Sequence, residues 1–320
     1  MKPTFLHLWN RDWVFAIALV IVTLAAYQPA WNGKPIWDDD RHSTRPELRS
    51  TAGLLRIWTD PTTTAQYYPL THTVFWLEYR LWGNSTLGYH LLNILLHLVS
   101  ALLLVNIFRR LNVSGVWLIA AVFALHPVQT ESVAWISELK NTLSGVFFLS
   151  TVIVYLKFDR ERKKKLYGCA AGLFILGLMS KSVIATLPMS LLVIFWWKRG
   201  KIGWKNDVVS LLPFFAMGIA YGLFTSWVER RFIGAEGSAF SFTIIERCLI
   251  AGRATWFYVS KIFLPMNLIF IYPRWQVSQA VWWQYLFPLA TLALAGILWL
   301  LRHCSRAPLA AFLYFSESEE

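Results

Sequence analysis

The chain has 320 residues, of which 56% are hydrophobic and 15% charged, and it contains 18 tryptophans and 22 phenylalanines. A soluble core of this length cannot hide so much apolar surface, so the composition excludes an ordinary globular domain and indicates an all-α polytopic membrane protein. The net charge of +12 comes from short basic loops between apolar runs, which argues against nucleic acid as a partner and favours membrane topology and anionic lipids.

The apolar runs predict about eight transmembrane helices. The first, from Trp13 to about Ala30, follows Lys2 and Arg11. It has features of a secretory signal, but we interpret it as an uncleaved anchor because many spans follow. The other predicted spans are Gly88 to Phe108, Gly115 to Leu125, Leu139 to Leu156, Leu166 to Met179, Val183 to Trp197, Val208 to Val228 and Trp283 to Leu301. Three are shorter than the roughly 20 residues that a perpendicular helix needs, so the count is uncertain by one or two.

The basic loops predict the orientation of these spans. With eight alternating spans, the arginines and lysines that follow positions 108, 156, 197 and 301 all share one side, which the positive-inside rule makes cytoplasmic. The segments 31–87 and 229–282 then face outward. In the first of them, two stretches with apolar residues at helical spacing, around 48–58 and 70–81, are expected to lie on the membrane surface as amphipathic helices.

The first outward segment carries the densest negative charge of the chain, Trp37-Asp38-Asp39-Asp40. Carboxylates are costly at the edge of a membrane, and their presence in so hydrophobic a chain suggests chemistry. We interpret this acid cluster as part of an active site.

A polar stripe follows in the second predicted span. His90, Asn93, His97 and Ser100 are separated by three, four and three residues and so share one helical face. An interhelical hydrogen-bonding stripe is the more ordinary interpretation, especially for His97 and Ser100. His90, near the outer end of the span, is the better candidate for a site.

Two more outward features are candidates for substrate contacts. His126-Pro127 ends the third span, and Glu131, Trp135 and Glu138 then recur at helical spacing, as in a short outer helix whose acids position a substrate hydroxyl or a divalent cation. A solvated helix face explains the acids nearly as well. Lys181 stands between two short apolar runs, where a phosphate group or the lipid headgroups would satisfy its charge.

The outer segment Glu246 to Leu264 is amphipathic. If helical, it places Arg247, Arg253 and Lys261 within an arc of about 120°. Such a face would bind a lipid phosphate or rest on acidic headgroups, and we select Arg253 and Lys261 as its phosphate contacts.

Several short motifs, in this order, resemble the transmembrane and tetratricopeptide-repeat O-mannosyltransferases and their bacterial relatives. The motifs are Trp37-Asp38-Asp39, Tyr68-Pro69-Leu70-Thr71, Gly88-Tyr89-His90-Leu91-Leu92-Asn93 with Leu96-His97, Phe123-Ala124-Leu125-His126-Pro127 with Glu131-Ser132-Val133-Ala134-Trp135, Ser180-Lys181 and Tyr272-Pro273-Arg274-Trp275. No single motif is specific, but their order and spacing are.

The resemblance implies a GT-C membrane glycosyltransferase over residues 1–308, with the tail 309–320 as a shortened end where the family continues into further spans and a repeat domain. It implies transfer of a mannose-like sugar from a polyprenyl-phosphate carrier to a protein or glycan hydroxyl, at the outer face of a bacterial inner membrane. Asp38 is then the catalytic base with Asp39 beside it, and Lys181, Arg253 and Arg274 bind phosphate. His126 and Glu131 shape the sugar pocket. The family is metal-independent, so no metal or other cofactor is expected.

Two other functions remain open from the sequence. A lipid transporter or flippase would also have many spans, although it would carry charge near the midplane and signs of internal duplication. A catalytically silent membrane subunit that supports a partner enzyme is the second alternative.

Overall fold

A computed structural model describes residues 11–39, 45–64, 66–233 and 242–317, so Asp40 of the acid cluster lies outside the described residues. Within these ranges every regular element is a helix, which confirms the all-helical prediction. The chain divides into two compact units, Met1–Ile184 and Ala185–Glu320.

The first unit contains the apolar helix Asp12–Ala26 and the loop with the acids. Its described helices are α1 (Asp12–Ala26), α2 (Thr51–Thr59), α3 (Pro69–Trp82), α4 (Thr86–Arg110), α5 (Val116–Leu125), α6 (Thr130–Ala134), α7 (Leu139–Glu161) and α8 (Lys164–Leu178). The described helices of the second unit are α9 (Leu187–Arg199), α10 (Val209–Val228), α11 (Ile244–Phe263), α12 (Leu286–Leu300) and α13 (Ala307–Glu317).

Four helical segments of the described chain are long and apolar enough to cross a membrane. They are Thr86–Arg110, Ile136–Glu161, Trp204–Phe232 and Trp282–His303. A fifth results if the pair Val116–Leu125 and Pro127–Ala134, bent by 49°, counts as one span. The predicted number of eight is not confirmed, because α1, α8 and α9 have only 15, 15 and 13 residues. The apolar helices indicate an integral membrane protein.

Helix α4 is the centre of the first unit. Ile94 and Ala101 of α4 and Ala120 and Ala124 of α5 are fully buried in one cluster with residues of α1. Small side chains at a contact let helix backbones approach closely, which is how helices associate where lipid removes the hydrophobic driving force. This packing fixes the position of the polar stripe on α4.

The two helices predicted in the first outer segment are confirmed as helices. Ser50 caps α2 through a hydrogen bond from the backbone N–H of Gly53 to its hydroxyl, 3.0 Å long. Pro69 begins α3, and Gly83 ends it at φ +58°, a backbone conformation that favours glycine. Leu55 and Leu81 are 64% and 71% exposed, which fits helices that rest on a membrane surface.

The single outer helix predicted through Glu131, Trp135 and Glu138 was wrong. The backbone breaks at Trp135, where φ is −86° and ψ is 125°, between α6 and the 3₁₀ turn Ile136–Glu138. The side-chain amide of Asn93 on α4 donates to the carbonyls of Trp135 and Ile136 at 3.0 and 3.4 Å. These tertiary hydrogen bonds therefore occupy two carbonyls that would accept backbone N–H groups in a continuous helix.

Candidate functional site

The loop after α1 turns sharply at the acid cluster. Trp37 is 73% exposed and has φ of 51°, a left-handed conformation that is uncommon for a residue with a side chain. The turn directs the next two carboxylates, those of Asp38 and Asp39, to the same residue, Ser137. The loop is therefore anchored to a segment almost a hundred positions further along the chain.

Asp39 is the buried member of the pair, with only 1% of its surface exposed. One carboxylate oxygen accepts the N–H of Ile36 and the other accepts the N–H of Ser137, both at 2.8 Å. Burial raises the pKa of Asp39 above its ordinary value, although the two backbone donors oppose that change. Asp39 thus fixes the loop to the 3₁₀ turn.

Asp38 is only half-buried, whereas Asp39 is buried. Its Oδ1 accepts a hydrogen bond of 3.1 Å from the Ser137 hydroxyl. The two neighbouring acids therefore occupy different environments, and Asp38 is the more exposed of the two.

The 3₁₀ turn Ile136–Glu138 and the first turn of α7 join these acids to a cation. Asn141 donates to the Glu138 carboxylate and, at 3.1 Å, to the Ser132 hydroxyl. Its side-chain oxygen accepts from the Lys181 amine. We call Asp38, Asp39, Ser137, Glu138, Asn141 and Lys181 the acid–lysine hub.

Lys181 is not isolated, as its position in the sequence suggested, but lies within range of several charges. Burial lowers the pKa of its amine, Glu138 and Glu131 oppose that change, and Lys140 adds to it. Lys140 itself pairs with Glu138, with 2.9 Å between Nζ and Oε1. The hub thus holds a cation in a partly buried place, and within the described residues its amine has no direct ion pair with a carboxylate.

Helix α3 holds the loop that carries Lys181. The N–H of Leu70 donates to the carbonyl of Met179 at 3.1 Å, and the Thr71 hydroxyl donates to the carbonyl of Ser180 at 2.9 Å. The hydroxyls of Tyr68 and Ser182 are 3.2 Å apart. Two motifs of the sequence, Tyr68-Pro69-Leu70-Thr71 and Ser180-Lys181, are therefore in direct contact.

The two histidines of α4 contact other segments of the first unit. His90 is 3% exposed, and its Nε2 lies 3.2 Å from the carbonyl of Gly33 in the acid loop. His97 lies 3.2 Å from the carbonyl of Ala124 and stacks on Phe123, so the hydrogen-bonding interpretation is confirmed for His97. It is not confirmed for Ser100, whose buried hydroxyl has no hydrogen-bond partner among the described residues. Both histidines pack helices and loops together. As a substrate contact, His90 stays a prediction.

The remaining predicted site residues of the first unit, His126, Glu131 and Glu138, lie between α5 and α7. His126 accepts the N–H of Val128 at 3.2 Å and so caps the turn Pro127–Gln129. Glu131 is exposed and lies within electrostatic range of Lys181, whereas Glu138 is only 7% exposed. Contacts of these side chains with a sugar stay a prediction.

Arg253 and Arg274 belong to the second unit, where they line a cleft of about 650 Å³. Arg253 lies over the ring of Trp275 at 4.6 Å, and Gln284, 6% exposed, accepts the N–H of Ser278 and donates to the carbonyl of Gln276. No carboxylate is among the described residues that line this cleft, which we call the arginine cleft. Its two arginines suit it to an anion.

Lys261, predicted as a phosphate contact beside Arg253, is placed differently. Its amine donates to the carbonyls of Met266 and Asn267 at 2.7 and 3.3 Å, and it is not among the residues lining the arginine cleft. Lysines commonly satisfy carbonyls in this way just beyond a helix C-terminus. This geometry favours a structural role for Lys261.

Sequence reasoning missed Ser137 and Asn141, which connect the hub. The run Ser137-Glu138-Leu139-Lys140-Asn141 was a usable signal, because four polar side chains stand at the entrance to a predicted span. Among the described residues no group of three or more histidine, cysteine or acidic side chains is arranged to hold a metal ion. Metal independence stays a prediction.

Comparison with known proteins gives several relatives of the same kind. A Caenorhabditis elegans protein named Protein O-mannosyl-transferase F38B6.6 is 27% identical over 282 residues, which are 82% of this chain and 39% of that protein. Protein O-mannosyl-transferase Tmtc1 of Drosophila melanogaster is 32% identical over 52% of this chain and 20% of its own length. Human Protein O-mannosyl-transferase TMTC4 is 29% identical over 45% and 23%.

The chain thus spans well under half the length of these relatives. No protein-family model matches it. No solved structure matches it either. The names of the relatives support a glycosyltransferase.

Proposed function

We propose that this chain is a GT-C-type membrane glycosyltransferase that transfers a mannose-like sugar from a polyprenyl phosphate to an acceptor hydroxyl, such as a serine or threonine of a protein. The acid–lysine hub is the observation that carries the proposal. It joins a half-exposed aspartate, Asp38, to a partly buried cation, Lys181, through the 3₁₀ turn and Asn141. The names of the relatives support the same chemistry.

The step requires a base on one side of the sugar and a cation on the other. The Asp38 carboxylate takes the proton from the acceptor hydroxyl while the hydroxyl oxygen forms a bond to the anomeric carbon. The bond from that carbon to the phosphate oxygen breaks, and its electron pair leaves with the lipid phosphate. Displacement from the opposite face inverts the configuration of the sugar.

Ser137 and Asp39 prepare Asp38 for this role. The Ser137 hydroxyl holds one oxygen of Asp38, while its N–H holds Asp39 and with it the whole loop. A base that is already oriented reduces the entropy lost when the acceptor binds. Asp39 therefore acts as a positioning residue next to the base.

Cations would stabilise the departing phosphate. In the first unit the candidate is Lys181, whose amine contacts Asn141 and forms no direct ion pair with any described carboxylate. A positive charge placed where negative charge develops stabilises the transition state more than the ground state. In the second unit, Arg253 and Arg274 of the arginine cleft are proposed as phosphate contacts.

The remaining features of the proposal concern the sugar and the membrane. His126, Glu131 and Glu138 are proposed to line the sugar pocket, and the hub is proposed to face the periplasm or exterior of a bacterial inner membrane. Along α4, Asn93 and His97 are already hydrogen-bonded to other helices or turns. Because these polar side chains serve the packing, they give no support to a transport path through the first unit.

Sugar transfer by the purified chain tests the proposal. The protein is given a radiolabelled polyprenyl-phosphate mannose and a serine- and threonine-rich peptide. We expect Asp38→Asn to lower the rate of transfer by about 10²–10⁴-fold, the usual contribution of a general base. Glu47→Gln, which removes an exposed acid further along the same loop, is the matched control and retains the wild-type rate.

Three results would contradict the proposal. Asp38→Asn with full activity would remove Asp38 as the base. Movement of the intact labelled lipid across vesicle membranes without sugar transfer would identify a flippase. Absence of both activities from a folded wild-type protein, with recovery on addition of a partner, would identify a silent subunit.

A further inference from the structure

A polar cleft of the first unit lies where α1 and α5 begin and α4 ends. Its volume is about 490 Å³. The polar and aromatic residues that line it are Asp12, Trp13, Asn106, Arg109, Arg110 and Trp117. Its apolar lining comes from Ala16, Leu102 and Val105. We call it the α4-end cleft.

The α4-end cleft and the hub lie near opposite ends of one helix. Asn93, on the outer part of α4, binds the turn of the hub, and Arg110 is the last residue of the same helix. Seventeen residues of α-helix separate them, which is about 26 Å at 1.5 Å per residue. This is nearly the thickness of the hydrocarbon core of a bilayer. The cleft therefore belongs to the membrane surface opposite the hub.

The contacts of Arg109 hold its side chain at the edge of this cleft. Its Nη2 lies 2.7 Å from Oδ1 of Asp12, and the indole N–H of Trp117 donates to the same oxygen at 2.9 Å. The guanidinium also lies 5.4 Å from the centre of the Trp117 ring. Since a guanidinium has five N–H donors in a planar fork, a single carboxylate contact leaves donors for a further anion.

Arg110 gives the α4-end cleft its net positive charge. Its Nε donates to the side-chain oxygen of Asn106 at 2.5 Å, which orients the guanidinium. In the described part of the chain Arg110 forms no ion pair. With Asp12 compensating Arg109, the α4-end cleft carries about one uncompensated positive charge next to an oriented fork of donors.

We propose that the α4-end cleft binds the headgroup of an anionic phospholipid. Arg109 and Arg110 would donate to the phosphate, and the apolar wall of Leu102 and Val105 would contact the start of the acyl chains. Trp13 is 61% exposed beside the charged edge, as expected of an indole at the interface between headgroups and hydrocarbon. Basic pockets between helices on the cytoplasmic side are a known mode of anionic lipid binding.

A free phosphate ion has the same charge chemistry as the headgroup. The combination of an apolar wall, an exposed indole and a place at the membrane surface favours the lipid. The inference does not depend on the catalytic activity of the hub, because no hub residue lines the cleft.

Lipid binding to the purified full chain in mild detergent tests the proposal. Native mass spectrometry measures the dissociation constants of phosphatidylglycerol and phosphatidylcholine at matched concentrations. We expect wild type to bind phosphatidylglycerol at least about fivefold more tightly, which corresponds to roughly 1 kcal/mol for one basic residue near the surface. Arg110→Gln should weaken phosphatidylglycerol about fivefold and leave phosphatidylcholine unchanged.

Two matched variants separate a specific site from general attraction. Arg160→Gln removes the same charge from a side chain that is 74% exposed outside the cleft, and it should bind phosphatidylglycerol as wild type does. Arg110→Lys keeps the charge and should retain most of the preference. Equal affinities in Arg110→Gln and Arg160→Gln, with unchanged thermal unfolding, would overturn the proposal.

Competition with inorganic phosphate distinguishes the two sources of the anion. Millimolar phosphate should leave bound phosphatidylglycerol in place, because the ion gains nothing from the apolar wall. If inorganic phosphate displaces the lipid from wild type but not from Arg110→Gln, the cleft is a site for free anions and the lipid proposal is wrong.

Discussion

The acid–lysine hub and the arginine cleft both contain charged side chains, but they are built differently. In the hub, hydrogen bonds join residues 98 and 40 positions apart, Asp39 with Ser137 and Asn141 with Lys181. The arginine cleft is formed by residues between positions 253 and 284, and Arg253 rests on the face of Trp275. Long-range donors orient the hub charges, whereas Arg253 is placed by stacking on a ring, which leaves its N–H groups able to donate to an anion.

After Asp38→Asn, the largest effect should come from the cation of the hub. We expect Lys181→Met to lower the rate of sugar transfer by about 10²–10³-fold, because a preorganised charge is lost where the phosphate leaves. The radiolabelled transfer assay measures the change, and thermal unfolding shows whether the variant folds. Lys163→Gln removes a lysine that is 69% exposed and is the matched control. A folded Lys181→Met with the wild-type rate would leave the hub without its proposed cation.

Substitution by asparagine should lower the stability of the protein at Asp39 but not at Asp38. In the wild type, the two Asp39 oxygens accept two backbone N–H groups. In Asp39→Asn an NH₂ group replaces one of these oxygens, so one buried N–H loses its acceptor. We expect a loss of about 1–3 kcal/mol of stability. Asp38→Asn, at a half-buried position, should unfold near the wild-type temperature. Thermal unfolding in detergent measures both variants, and equal losses would remove the distinction between anchor and base.

Glu78 is a buried carboxyl group that lacks hydrogen-bond donors like those that Asp39 has in the hub. It lies on α3, is 2% exposed, and neither oxygen has a hydrogen-bond partner among the described residues. Burial raises the pKa of Glu78 to about 9. Between pH 4.5 and 9 the unfolded chain loses this proton while the folded chain keeps it, so stability falls as pH rises.

The slope from this one group should approach about 1.4 kcal/mol per pH unit at most. Unfolding temperatures measured from pH 5 to pH 8 should therefore decline more steeply in wild type than in Glu78→Gln. Glu47→Gln, which changes an exposed acid, should keep the wild-type slope. Parallel profiles for wild type and Glu78→Gln would show that Glu78 is not a buried neutral acid.

The smallest effect is expected in the arginine cleft. Arg253→Gln should raise the KM for the polyprenyl-phosphate sugar about tenfold with little change in kcat, since one charge-assisted hydrogen bond contributes roughly 1.5–3 kcal/mol. Arg247→Gln changes an exposed arginine on the same helix that does not line the cleft, and should leave KM unchanged. A fall in kcat without a change in KM would place Arg253 in the chemical step instead.

The sequence alone was sufficient to predict the helical class, the amphipathic helices of the first outer segment and the polar face of α4. Each of these depends on the periodicity of nearby residues, which local geometry converts directly into a helix face. The acid cluster and Lys181 were also recognisable, because charged groups are rare in so apolar a chain.

Only the tertiary structure decided how those groups are used. Asp38 and Asp39 are neighbours of the same residue type, yet one is half-exposed and the other is buried against backbone donors of two segments. Asn93 donates to the carbonyl of Trp135, where the helix predicted after His126 is interrupted, and Asn141 links Lys181 to Glu138. These outcomes depend on contacts between residues tens of positions apart, about which local periodicity carries no information.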